Sequence, residues 1–426
     1  MDKKNRFLQL LRFKKVFPLT FLTFLGPGLI ATAAGNDAGG IATYASAGAK
    51  YGLNVLWIML FLTPSFILVQ EMAARLGAAT GKGFSDLVRE NFDLRTSVLM
   101  MVLLTLGNAG IVVTEFAGIA ASLELFGVSK YISIPIAVLF VWWLIVKGTY
   151  IKVEKIFLLM SGILLSYVLA AFLARPDWGQ VGIHLIKPVI LPDFPFLTLV
   201  VALIGTTIAP FMQIYAQSSV VEKGITMSDF KMERIDTLVG TVFANIIACF
   251  IIIATATTLH PAGIQIETAS DAALALVPLA GDFAKILFGV GLLGASLLAA
   301  GVVPLTTSFA LANAFGWEAG VNRSLEEAPI FYAVFTFLIV LAATIVLSPA
   351  LSLIKLLIGF QVVNGLLLPI QLIYMMKLAN NHALMGRHTN NKWFNLALVV
   401  TITGVGCASL LFVGSTLLTF AMKFFG

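Results

Sequence analysis

Two carboxylates stand apart from the other acids by their surroundings. Asp37 lies in Ala34-Gly35-Asn36-Asp37-Ala38-Gly39-Gly40 between apolar stretches, and Glu115 lies deep in a long apolar run, whereas most other acids fall in loops or near segment ends. At membrane depth an unpaired carboxylate costs at least ~3 kcal/mol on insertion scales, so such a group needs a partner. No Lys or Arg stands near Asp37 in the sequence. A cation from solution is the natural partner, and ion binding is the chemistry it suggests. A helix cap is the plainer role for Asp37, yet an Asn or Ser would cap without the charge. Glu115 has two readings that stay open: an acid that supports ion or proton binding, or a structural acid hydrogen-bonded to Asn108 or to another helix. Thr206, Gln361 and Asn364 are neutral polar groups inside apolar segments. Gln361 and Asn364 share one helix face, where they either line a cavity or bond a neighbouring helix.

Other chemistries lack their residues. His184, His260, His382 and His388 all lie in loops or at segment ends, so no imidazole is available at depth for metal ligation or proton relay. Cys249 and Cys407 lie in apolar segments and offer neither a disulfide framework nor a Cys-x-x-Cys clip. No phosphate loop, nucleophile motif or zinc-helix motif occurs in context. The residues therefore predict neither an enzyme nor a bound cofactor.

The elements that must position Asp37 are membrane helices. Of 426 residues, 59% are hydrophobic and only 11% charged, and the mean hydropathy is +0.98. A spanning helix needs roughly 20 mostly apolar residues, and the chain supplies such segments repeatedly. Eleven spans are expected, beginning near Phe17, Val55, Ser97, Ile132, Ile156, Leu197, Ile235, Phe283, Phe331, Leu351 and Phe394. Most of the 27 Lys and Arg residues fall on one side of this topology. Because positive flanks resist translocation, they predict a cytoplasmic N-terminus and a C-terminus outside, in the plasma membrane. The basic stretch 1–16 reads as a retained cytoplasmic arm and not as a signal peptide. The net charge of +6 is then a membrane-face asymmetry and needs no nucleic acid partner. The lipid bilayer is the expected partner, and no obligate protein partner is evident.

Two spans cannot run as unbroken helices. The first holds Gly26-Pro27-Gly28 and the glycine-rich stretch around Asp37, and the sixth holds Gly205-Thr206-Thr207-Ile208-Ala209-Pro210. Thr63-Pro64 and Pro304 predict kinks. Breaks five spans apart are what two inverted five-helix repeats produce, with a substrate site at their interface. The repeats are expected at 17–175 and 197–377, with an eleventh helix at 394–420.

The chain resembles the NRAMP divalent-metal transporters. The likeness rests on Gly26-Pro-Gly-Leu-Ile through Asp37-Ala-Gly-Gly40, Gln70-Glu-Met-Ala-Ala-Arg-Leu-Gly77 with Thr80-Gly81, Lys147-Gly-Thr-Tyr-Ile-Lys-Val-Glu154, Glu233-Arg-Ile-Asp-Thr237, and Gln361-Val-Val with Leu368-Pro369. These run in order over nearly the whole chain. The resemblance implies an all-α membrane protein of the LeuT type, with eleven transmembrane helices, helices 1 and 6 broken, and alternating access. It implies a metal set of Asp37, Gly40, Thr206, Ala209 and Gln361, with Glu115, Asn108, Asn364 and Ala34 supporting it or carrying protons.

Several site positions depart from the family pattern. The family's Asp-Pro-Gly-Asn reads Asp37-Ala38-Gly39-Gly40, and its Met-Pro-His reads Ala209-Pro210-Phe211. Thr206 stands where an alanine is usual, and Val112 where a proton-pathway aspartate is usual. Ala328-Pro329-Ile330-Phe331 replaces an expected arginine pair. In these features the chain looks like the NRAMP-related magnesium transporter branch. Loss of a thioether removes a preference for softer metals, and small residues at 40 and 209 predict a wider, oxygen-only cavity. Mg²⁺ sheds water reluctantly and suits such a cavity. The expectation is import of partly hydrated Mg²⁺, and also Mn²⁺, without proton coupling. The alternatives are a proton-coupled Mn²⁺/Fe²⁺ symporter, a metal sensor that does not transport, and an organic-substrate symporter.

Overall fold

Glycine and proline break the first and sixth spans where their positions predict. The computed structural model describes residues 26–191, 193–266, 282–348 and 353–425. The arm 1–16 and the expected span starts at Phe17 and Leu351 lie outside these residues. Span one consists of α1 (Pro27–Ala33) and α2 (Ala38–Tyr51), separated by Ala34–Asp37. A 3-10 turn, Gly52–Val55, leads into α3 (Leu56–Thr80). The helical stretch Ala38–Thr80 runs for 43 residues, about twice the length of one crossing, so it holds the end of one span and the whole of the next.

The chain continues through α4 (Phe84–Asn91), α5 (Leu94–Glu124), α6 (Lys130–Lys147), α7 (Tyr150–Ile163), α8 (Leu165–Leu173) and α9 (Trp178–Ile186). The second half comprises α10 (Phe194–Thr207), α11 (Pro210–Lys223), α12 (Phe230–Ala262), α13 (Asp282–Phe315), α14 (Pro329–Leu347), α15 (Leu353–Ala379), α16 (His382–Met385) and α17 (Lys392–Phe425). Spans five and six are the pairs α7/α8 and α10/α11; the described residues hold ten long apolar stretches, and dividing Ala38–Thr80 between spans one and two gives the expected eleven. Pro64 lies inside α3 and Pro304 inside α13.

Pro210 is expected to break the sixth span by removing a helical hydrogen bond, but it acts differently. It occupies the first position of α11, where a helical residue has no intrahelical N–H bond to lose and the fixed φ favours initiation. The break is made before it, at Ile208 (φ −126°, ψ 57°) and the extended Ala209 (φ −67°, ψ 140°). Pro27 likewise opens α1. Each proline starts the half-helix that follows.

The half-helices are held by groups from distant spans. Asp236 of α12 accepts the N–H groups of Gly26 (3.0 Å) and Gly28 (2.8 Å), satisfying donors at the start of α1 that lipid would leave bare. Small residues let the two helices touch: a Cβ on Gly28 would lie 2.7 Å from Thr237 Cα, and one on Gly240 2.5 Å from Leu29 Cα. The same device joins α10 to α15, where a Cβ on Gly205 would lie 2.0 Å from the Gln361 carbonyl oxygen and 2.4 Å from Gly365 N. Close backbone approach of this kind is how membrane helices gain packing energy without a hydrophobic driving force. Farther from the breaks, buried Arg75 ties the end of α3 to the segment before α17, donating to the His388 carbonyl (2.7 Å) and Asn390 Oδ1 (2.6 Å).

The Gly205 contact predicts a stability effect. Gly205→Ala forces α10 from α15 and is expected to destabilise by ~1–3 kcal/mol, the usual range for overpacking. Gly404→Ala, on an α17 face with nothing within 4 Å, should be neutral or slightly stabilising. Thermal unfolding of the two variants in one detergent checks the contrast, and equal midpoints would refute it.

Candidate metal site at the two helix breaks

Asp37 is the N-cap of α2, with φ −71° and ψ 178°. Its Oδ1 accepts the Gly40 N–H at 2.5 Å, and Gln361 Nε2 donates to Oδ1 (3.0 Å) and Oδ2 (3.2 Å). The cap reading of Asp37 is therefore correct as far as it goes. It leaves the charge unexplained, since the residue is only 1% exposed and no ion pair involves it among the described residues.

Glu115 of α5 reaches the same helix end. Its Oε2 accepts the Ala38 N–H at 3.1 Å and its Oε1 the Thr114 hydroxyl at 3.0 Å. The first-turn amides of α2 are thus met by two carboxylates, Ala38 by Glu115 and Gly40 by Asp37. The positive end of the helix favours negative charge there. Asn108 has no part in this arrangement: its Nδ2 donates to Thr307 Oγ1 at 2.9 Å, joining α5 to α13. Of the two structural partners left open for Glu115, it takes another helix and not Asn108, which lies about two helical turns away on its own helix.

Gln361 and Asn364 share the expected face and act together. Asn364 Nδ2 donates to Gln361 Oε1 at 3.2 Å, which turns the Gln361 NH₂ group toward Asp37. Gln361 in this orientation serves the carboxylate. To offer its oxygen to a cation, the amide must turn over and give up the Asn364 bond.

Thr206 and Gly40 interlock. The Thr206 hydroxyl donates to the Gly35 carbonyl at 3.5 Å, and a Cβ on Gly40 would lie 2.6 Å from Thr206 Oγ1 and 2.8 Å from Gly35 O. The wider cavity expected at Gly40 is therefore absent, because the threonine takes the space that the glycine vacates. Gly39 has a matching purpose, since a Cβ there would sit 2.3 Å from Gln361 Nε2. Ala34 is the C-cap of α1, and the carbonyl that receives Thr206 is that of the next residue, Gly35. Ala209 is the N-cap of α11, with its carbonyl accepting the Met212 N–H at 3.1 Å.

Residues not singled out in the sequence complete the surroundings. Tyr44 and Thr207 share a hydroxyl contact of 3.1 Å across the breaks, and Asn36 donates to the Ala244 carbonyl at 2.9 Å. Met212, fully buried, packs against Gly35. Its position in the first turn after a predicted break was a readable signal, because helical side chains lean back toward the N-terminus. Among the described residues no group of three or more His, Cys, Asp or Glu could hold a metal. A cation held here depends on one or two carboxylates, with neutral oxygens and water completing its coordination.

The chain matches the model of the family described as "Natural resistance-associated macrophage protein-like" over residues 28–415. It is 28% identical over 420 residues to the divalent metal cation transporter MntH of Clostridium acetobutylicum, covering 93% of this chain and 92% of that protein. Identity to MntH of Bacillus subtilis is 27% over 389 residues, covering 88% of each. A crystal structure of a single-site variant of the Eremococcus coleocola manganese transporter superposes with a TM-score of 0.79 at 19% identity, covering 96% of this chain and 89% of that one. Mhp1, a nucleobase-cation-symport-1 family transporter, gives a TM-score of 0.57 at 15% identity, covering 92% of each. Matched along nearly its whole length, and built as eleven spans of the LeuT type with broken first and sixth helices, the chain belongs to the NRAMP family of membrane transporters.

Proposed function

We propose that this chain moves a divalent metal cation across the membrane by alternating access, through a site anchored on Asp37. The observation that carries the reading is a buried carboxylate at a helix break, with no basic partner and with amide donors only. A cation balances that charge at membrane depth. The relatives named as divalent metal cation transporters, and the structural neighbour named as a manganese transporter, support the same class of cargo. The protein is a transporter and not an enzyme, and the metal is its substrate. Repeats at 17–175 and 197–377 would be the bodies that rock about the site, with 394–420 outside them. The Lys and Arg distribution supports a plasma-membrane protein with its N-terminus in the cytoplasm and its C-terminus outside.

Two readings of the cargo follow from different observations. Asp37, Thr206, Gln361 after its amide turns, and carbonyls near Ala34 and Ala209 are all oxygen donors, which suits Mg²⁺, with Mn²⁺ also accepted, in uncoupled uptake. Gly40, Ala209 and Phe211 support it by lacking the donors that their family counterparts carry. The proton-coupled Mn²⁺ reading has the support of the relatives' names and of Glu115. With Glu115 on Ala38 N and Asp37 one residue away, a dication can balance two carboxylates. When it leaves, protons are the available replacement in a site with no Lys or Arg. These two supports make the coupled Mn²⁺ reading the stronger.

Three measurements test these statements. Asp37→Ala should reduce Mn²⁺ and Mg²⁺ uptake into proteoliposomes to background, and flux at the wild-type rate would remove the central claim. A pH dye in the same vesicles should report lumen acidification in step with Mn²⁺ entry, lost in Glu115→Gln. Mg²⁺ entry with a flat pH trace would instead favour the uncoupled reading. The interlock predicts that Gly40→Asn abolishes uptake, and that adding Thr206→Ala recovers part of it, since the Gly35 carbonyl still lies 2.8 Å from a Cβ at position 40. Failure of the double variant to recover any flux would show that Gly40 matters for another reason.

A further inference from the structure

We infer that Asn364 sets the affinity of the Asp37 site by competing with the cation for the carbonyl oxygen of Gln361. The inference rests on the proposed role of Asp37 and deepens it. Asp37, Gln361 and Asn364 form an unbroken chain of contacts. Gln361 Nε2 lies 3.0 Å from Asp37 Oδ1 and 3.2 Å from Oδ2, and Asn364 Nδ2 lies 3.2 Å from Gln361 Oε1. All three residues are buried, none more than 1% exposed. A carboxamide has one donor end and one acceptor end. With its NH₂ group on Asp37, Gln361 points its oxygen away from the carboxylate, and that is the oxygen Asn364 holds. A cation arriving at Asp37 meets the donor end and is repelled by it. Gln361 becomes a ligand only by exchanging its two ends, and the exchange breaks the Asn364 bond and sets one NH₂ group against another.

Asn364 cannot follow that turn without loss. It stands one helical turn after Gln361 on α15, and α15 lies against a glycine face of α5. A Cβ on Gly107 would stand 3.6 Å from Asn364 Oδ1 and 3.2 Å from Leu367 Cδ1, and Gly110 makes room for the Phe360 ring. Turning Asn364 would direct its NH₂ group at Gly107, which has no side chain to accept it. A buried amide donor left without a partner costs more than a typical hydrogen bond contributes. Asn364 is therefore a positioning residue fixed as a donor, and it stabilises the orientation of Gln361 that serves the empty carboxylate. A bond that only braced α15 would act equally with and without the ion. This one exists only in the empty orientation, so its loss changes binding.

Removing the donor should tighten binding and slow release. In full-length protein, Asn364→Leu leaves Gln361 Oε1 without a partner in the empty site, and a cation that takes up that oxygen gains the difference. The Mn²⁺ dissociation constant, measured by isothermal titration in detergent, is expected to fall about tenfold. In proteoliposomes the half-saturating Mn²⁺ concentration falls with it, and the maximal uptake rate falls as well. Asn364→Ala, which adds no bulk against Leu367, should shift the constant in the same direction and serves where the leucine variant does not fold. In a Gln361→Leu background, adding Asn364→Leu should leave the constant within about twofold, since no oxygen is left to contest. Unchanged or weaker binding in both Asn364 variants overturns the inference, and so does equal tightening in the Gln361→Leu background. Asp37→Ala separates the two layers. Mn²⁺ binding that survives it means the site reading itself fails, whereas binding lost there with no tightening in the Asn364 variants defeats only the competition.

Discussion

An unwound backbone at membrane depth has no water to bond, and everything around the two breaks follows from meeting that need. The first turn of α2 presents its amides to the core, and carboxylates from two different spans receive them, Asp37 from the break and Glu115 from α5. At the far end of α1 from that break, Asp236 of α12 receives the amides that open the helix. Neutral capping groups would satisfy the hydrogen bonds equally well. Acids at all three places fasten the half-helices, and at the first break the same contacts would also serve the cation proposed above.

Glycine sets how closely these elements approach. Gly39 admits Gln361 to the Asp37 carboxylate, Gly40 admits Thr206, and Gly205 admits the backbone of α15. Because α15 carries Gln361 and also touches α10 through Gly205, it is fastened to both breaks. Gln371, farther along α15, adds a bond from its amide to the Pro210 carbonyl at 2.9 Å. A shift of either half-helix must therefore be felt by α15. Coupling of this kind is physical contact between named groups, which alternating access requires of any element between two moving bodies.

The spans, the two breaks and Asp37 were legible because each depends on local composition: apolar length, glycine and proline inside a span, and a charge without a neighbour. Glu115 was legible as a buried acid, but its partner was not, since the Ala38 amide is 77 residues away. The expected cavity at Gly40 failed for a related reason. Glycine was counted as lost volume, whereas Thr206, 166 positions on in the chain, fills that volume. Gln361 lies beside Asp37, but which end of an amide faces a carboxylate depends on a third group, Asn364.

The charge of the site argues for how it can release what it binds. A helix N-terminus carries the equivalent of roughly half a positive charge, and two ionised carboxylates would carry about two negative ones. A dication then brings the site close to neutrality, and its departure leaves a strong negative excess in a region where ions are poorly solvated. A permanent Lys or Arg would relieve that excess but would also exclude the cation. Amides relieve it in part without competing. The Ala38 and Gly40 N–H groups and the Gln361 NH₂ group stay in place whether or not an ion is present, and Gln361 is the one that can turn over. Its rotation would replace a donor to the carboxylate by an acceptor for the cation, so the same side chain stabilises the charge before binding and the ion after it. Under the proposed role of Asp37, that rotation would set the strength of the site between a trap and a vacancy, which repeated loading and unloading demands.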